Sequence, residues 1–153
     1  KRLVLIAPFG LFDEAMPVTD VFAFKAGEQS KALTHDAVAY DAYRARPNSV
    51  DEADWAITQV RAEMAAAKLL WPLGDTRLGK RLFRITQPTL IIWGAEDKVM
   101  NPAYAAKFAD AISGPTQIVT VANAGHKVEF DAPEAVADRR AEKAPRADTR
   151  RDA

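Results

Sequence analysis

The chain has 153 residues, the length of one domain, with 48% hydrophobic and 27% charged residues, which is ordinary for a globular protein with a real core. Lys plus Arg equals Asp plus Glu at 21 each, so no global basic field recommends nucleic acid or an anionic membrane as partner. The absence of cysteine excludes a disulfide framework and a cysteine nucleophile, and it fits a reducing, cytoplasmic setting. No apolar run approaches the ~20 residues of a membrane span.

The chain opens at Lys1 directly on a strand signal, without a signal peptide. The expectation is that the true N-terminus lies further upstream, so a lost targeting segment stays open. Leu3-Val4-Leu5-Ile6-Ala7 is a continuous apolar run closed by Pro8-Phe9-Gly10, the pattern of a buried parallel strand. Residues 11–84 carry the helical signals of an insertion. A first helix is expected from Thr34 or Asp36 to Arg46, before Pro47. Ser49-Val50-Asp51-Glu52 fits a capping box with Ser49 as the cap. Ile57, Val60, Met64, Ala67 and Trp71 then recur at steps of three and four, giving an amphipathic helix of roughly five turns stopped by Pro72. Met64 and Trp71 are read as core of this insertion. Leu73 to Gly79 is a turn region.

Thr89-Leu90-Ile91-Ile92-Trp93, between Pro88 and Gly94, is a second buried strand, followed by the turn Gly94-Ala95-Glu96-Asp97. Asn101 as cap and Pro102 at the first helical position open a helix whose apolar face is Tyr104, Ala105, Phe108 and Ile112. Gly114-Pro115 stops it. Thr116 to Val121 is β-branched and reads as a third strand, and Asn123-Ala124-Gly125-His126 is the loop after it. Pro133 to Ala137 opens a last helix. Beyond Asp138 the chain lacks an apolar stripe, and residues 145–153 are expected to be disordered. Arg139, Arg140, Arg146, Arg150 and Arg151 alternate with Asp138, Glu142, Asp148 and Asp152, which speaks against a nucleic-acid tail.

Strand, helix and strand make one βαβ unit, so both post-strand loops lie at the same carboxyl edge of a parallel sheet, where such sheets bind ligands. Neighbouring strands lie ~4.8 Å apart, so Asp97 and His126 can meet there and face a common cavity under residues 11–84. A carboxylate beside an imidazole fixes its tautomer and stabilises its protonated form, the acid-base half of a catalytic triad. The plainer reading of Asp97 is a turn residue, and of His126 a structural histidine. Phe9 and Val99 follow strand ends at the same rim and are candidate pocket residues. His35, at a helix start, and Glu96 and Lys98, beside Asp97, are read as surface groups. Two distant histidines offer no metal-ligand spacing.

At these residues the chain resembles the α/β-hydrolase family. Ile85 to Asp97 is similar to that family's strand and acid loop, and Asn123 to His126 to its histidine loop. Pro133 to Ala137 is similar to the family's segment after the histidine loop, and Lys1 to Pro8 to the strand after its nucleophile helix. The order acid then histidine is also the family's. The resemblance implies an incomplete α/β-hydrolase fold: three parallel strands with flanking helices, a core of residues 1–10 and 85–144, and a helical lid at 11–84. It implies hydrolysis of an ester, a thioester or a carbon–carbon bond beside a carbonyl, with Asp97 and His126 as catalytic acid and base, no cofactor, and a small-molecule substrate. The family's G-x-S-x-G elbow does not occur. Ser30 in Gly27-Glu28-Gln29-Ser30-Lys31 lacks the second glycine and a preceding strand, and Ser49 and Ser113 have no elbow context. Nucleophile and oxyanion hole are therefore expected outside this chain. Two alternatives stay open: the dehalogenase and epoxide-hydrolase branch, whose nucleophile is an aspartate, and a truncated or degenerate module without catalysis. The first strand is expected to be an unprotected edge prone to self-association.

Overall fold

The structure, a computed structural model, describes residues 1–25 and 28–141. The tail expected to be disordered, 145–153, lies outside them, as does the end of the expected core at 142–144.

Three parallel strands stand in the order β1 (Leu3–Ile6), β2 (Thr89–Gly94) and β3 (Thr116–Val121). Leu3 pairs with Thr89, and Thr89 with Thr116. The central strand β2 is buried along its whole length, which is why it reads as an unbroken apolar run. The outer strands are only partly covered, and Ile118 on β3 is exposed. Among the described residues β1 pairs on one side only.

Between β1 and β2 lie α1 (Gln29–Leu33), α2 (Ala37–Tyr43) and α3 (Glu52–Leu70), with single 3-10 turns at Val21–Ala23 and Leu82–Arg84. Helix α4 (Tyr104–Ala111) crosses from β2 to β3 and packs on both. Two short helices follow β3: α5 (Val128–Asp131) and α6 (Pro133–Ala141). The core gathers Ile91, Ile92 and Trp93 of β2, Met100, Tyr104 and Phe108 around α4, and Val128 of α5.

Several boundaries differ from the sequence reading. Helix α4 starts at Tyr104, because Asn101 and Pro102 form a tighter entry: Tyr104 donates its N–H to the Asn101 carbonyl and Ala105 to that of Pro102, while Asn101 Oδ1 accepts from the Ala103 N–H. The cap of α3 is Asp51, not Ser49. Its Oδ1 accepts from the backbone of Ala53 and Asp54 at 2.8 and 3.3 Å, and a carboxylate at that end also meets the helix dipole favourably. Asp36, not Thr34, caps α2, accepting from Ala39. The largest departure concerns the apolar stripe of α3. The helix buries none of its residues, and Met64 and Trp71, read as core, are 62% and 60% exposed. With Asp20, Phe22, Ala23, Ala67 and Lys68 they border an open cleft of about 580 Å³.

Geometry requires a glycine where the chain leaves β1. Gly10, after β1, has φ +117°, and a Cβ there would press on Leu78, so only glycine turns the chain away at this point.

Candidate active site

Asp97 and His126 meet. Oδ2 of Asp97 lies 2.9 Å from Nδ1 of His126. The loops that carry them are bound to each other by backbone: Ala95 donates to the Val121 carbonyl and Glu96 to that of Ala124. Gly94, at the end of β2, makes this crossing possible, since a Cβ there would run into the carbonyl oxygens of Gly125 and Ala124. The left-handed turn at Asn123, φ 54°, suits a residue type that tolerates that region.

The Asp97 side chain is fully buried, and that of His126 is 10% exposed. A buried carboxylate needs its lone pairs filled. Oδ1 accepts from the backbone N–H of Val99 at 2.8 Å and Met100 at 2.9 Å. Oδ2 accepts from the indole N–H of Trp93 at 2.9 Å and faces the histidine. An ionised carboxylate only accepts. The hydrogen between the pair therefore sits on Nδ1, and in the neutral ring Nε2 is left with a free lone pair. This arrangement can hold an imidazole in one tautomer and one orientation, the condition for a directed base. The Phe9 ring and the imidazole meet in a T-shaped contact, 5.1 Å between centroids, the planes 83° apart.

The other candidates fall differently. Phe9, Leu11 and Val18, with Leu69 and Leu70 at the end of α3, line a cleft of about 150 Å³. Val99 is buried in the core. Its N–H holds Asp97, and its carbonyl accepts from Thr19 at 2.9 Å.

Three groups read as surface residues take part in the frame around the pair. His35 Nδ1 meets Glu96 Oε2 at 2.8 Å, both side chains 43% exposed. Lys98 Nζ donates to the Lys31 carbonyl at 3.3 Å. Trp93, read only as strand core, also holds Asp97, and no local sequence pattern shows where an indole N–H points. Among the described residues no three His, Asp or Glu side chains converge so as to hold a metal ion, and no helix is long and apolar enough to cross a membrane.

Comparison with known proteins agrees with the fold. The model of a family described as the alpha/beta hydrolase family matches residues 1–139. Among solved structures, the chain is similar to a serine hydrolase involved in carbazole degradation (22% identity, TM-score 0.58, 92% of this chain and 52% of the other). It is similar to a meta-cleavage product hydrolase variant (16%, 0.59, 90% and 53%). A third is a serine hydrolase from the polyaromatic-hydrocarbon-degrading bacterium Cycloclasticus zankles (16%, 0.61, 92% and 53%). The chain thus spans about half the length of these structures. A comparison with curated proteins gives no match.

Proposed function

Because the chain belongs to the alpha/beta hydrolase family, we propose that it supplies the acid and the histidine of a hydrolytic triad, Asp97 and His126, to a nucleophilic serine carried outside these 153 residues. In this reading His126 takes the proton of the serine through Nε2 and returns it to the leaving group, while Asp97 orients the ring through Nδ1. The bond broken is an ester, a thioester or a carbon–carbon bond beside a carbonyl, in a small-molecule substrate. Residues 11–84 act as the lid, Phe9 lines a cleft beside the pair, and Val99, buried in the core, takes part only through the backbone N–H that holds Asp97. One observation carries the proposal: the buried Asp97 carboxylate, filled by three protein N–H donors, turns its remaining capacity to Nδ1 of His126.

The test is turnover of a chromogenic ester by the chain alone, by the chain joined to a hydrolase N-terminal half bearing a G-x-S-x-G elbow, and by the joined protein with His126→Ala. The chain alone should stay at background, since loss of a triad nucleophile costs on the order of a millionfold. The joined protein should turn over. His126→Ala should abolish most of that, since a general base is worth roughly a hundredfold to ten-thousandfold even outside a cooperative triad. Turnover by the chain alone that survives His126→Ala would overturn the proposal. An N-terminal half bearing an aspartate in place of the serine tests the alternative nucleophile in the same assay.

A second reading, a module without catalysis, is favoured by the absence of any G-x-S-x-G in the sequence. It predicts background turnover in all three proteins. In either reading the one-sided strand β1 is an association edge. The chain should self-associate as concentration rises, and a monodisperse monomer in light scattering at high concentration would contradict this.

A further inference from the structure

Three backbone N–H groups converge on the carboxylate of Asp131, the last residue of α5. Gly125 donates to Oδ2 over 2.7 Å and His35 to the same oxygen over 2.8 Å, while Asp36 donates to Oδ1 over 3.4 Å. Gly125 immediately precedes His126. His35 and Asp36 form the turn between α1 and α2, 96 and 95 positions away from Asp131 in the chain.

The rest of the seam closes around this carboxylate. Lys127, just after His126, donates its N–H to the Leu33 carbonyl at 2.8 Å. Gly125 lies so close to the turn that a Cβ on it would stand 2.9 Å from the Thr34 carbonyl carbon. Tyr40 and Tyr43 of α2 set their rings against Phe130, at 5.0 and 5.5 Å. The His35–Glu96 pair reaches across to the loop of Asp97. The backbone on both sides of His126 is thus pinned to residues 33–36, and a carboxylate that accepts several N–H groups is a stiff, charge-assisted anchor.

We infer that Asp131 is a positioning residue for His126. Its carboxylate fixes the Gly125 amide, and so the direction in which the imidazole leaves the backbone toward Asp97. Residues 33–36 then belong to the fixed frame of the site, and only the later part of the β1–β2 connection, with its exposed helix α3, is free to act as a moving cover. The inference deepens the proposed function and rests on it, because a site without a working histidine has nothing to position.

The experiment needs no substrate. The hydrogen on His126 Nδ1, shielded by Asp97, gives a downfield NMR resonance whose exchange with water can be timed. Asp97→Asn identifies the signal by removing it. Asp131→Asn keeps the shape and one acceptor oxygen but drops the charge. It should speed exchange of the ring hydrogen at least about tenfold and release the amides of Gly125, His35 and Asp36, leaving Ile91 and Ile92 of β2 protected. Asp131→Glu, which restores the charge on a longer stem, should recover part of the protection. If Asp131→Asn loses the protection of β2 as well, Asp131→Glu is read alone, and it should show the same local pattern in weaker form. Release of the three amides with an unchanged ring hydrogen would overturn the inference while leaving the acid–histidine reading intact. A ring hydrogen in the unaltered chain that does not respond to Asp97→Asn would overturn both.

Discussion

Trp93 donates its indole N–H to Oδ2 of Asp97 over 2.9 Å, so the side chain that fills the core beside Phe108 also holds the acid. The strand and the loop it delivers are therefore one cooperative unit, and core packing and site geometry cannot be changed independently there.

Trp93→Phe should cost stability beyond the lost ring volume. A hydrogen bond to a charged group is worth about 1.5–3 kcal/mol, and the volume effect is separated by a double-mutant cycle with Asp97→Asn. In urea unfolding the losses of the two single variants should sum to more than the loss of the pair. Additive losses, within about 0.5 kcal/mol, would show that the indole and the carboxylate are not coupled.

Gly94 and Gly125 stand where the acid and histidine loops cross. Gly125→Ala would press a methyl group against Thr34 and Leu33, and such overpacking costs about 1–3 kcal/mol. Both sets of neighbours are backbone, but Gly94→Ala would drive its methyl group far deeper into two carbonyl oxygens of the histidine loop than the 2.9 Å approach at Gly125, so its cost should lie at or past the top of that range. Chemical denaturation of the two variants checks the order, and Gly94→Ala as the milder change would contradict the crossing.

Asp13 and Lys107 form an ion pair at 2.7 Å between the chain after β1 and helix α4. The hydrogen bond to Lys107, helped by one from the Ala15 N–H, lowers the Asp13 pKa below its ordinary 3.8. The bond to Asp13 in turn raises Lys107 above 10.5. A depressed carboxyl stabilises the fold above its ordinary value, and the gain is lost as pH falls through the lowered one. A raised amine stabilises below its ordinary value, and the gain is lost as pH rises through the raised one. The pair's contribution therefore spans the neutral range and fades at both extremes. It is small, because solvent screens a surface pair. Lys107→Met should flatten the acid and alkaline limbs of the urea midpoint against pH, and unchanged limbs would show that the pair adds nothing to the pH dependence.

The sequence made the sheet legible because a strand covered on both faces, such as Thr89 to Trp93, reads as an apolar run, and a crossover helix puts the two post-strand loops on one edge. That logic brings Asp97 to His126 from pattern alone. It fails where the deciding partner is distant in the chain or absent from it. Asp131 and His35 meet across a long separation that no local pattern records. Asp51 displaces Ser49 as cap because both are good caps and two positions decide between them. The stripe from Ile57 to Trp71 is legible as an apolar face, but periodicity reports what a face prefers and not how closely anything packs against it; here none of its residues is buried.

The two seams of the sheet close over very different lengths of chain. Thr89 reaches Thr116 across one short crossover, whereas Leu3 reaches the same Thr89 only after the whole α1–α3 connection, a loop about three times longer. By the logarithmic law for loop closure the longer one costs about 1 kcal/mol more in chain entropy, and non-local pairings are slow to be rewarded. The acid–histidine unit should thus fold first and β1 dock last. Substitutions such as Ile91→Val should slow folding, and Leu5→Ala should mainly hasten unfolding. A folding rate slowed as much by the β1 change as by the β2 change would reverse that order. The half of the molecule that bears the candidate site does not wait for the strand that precedes it.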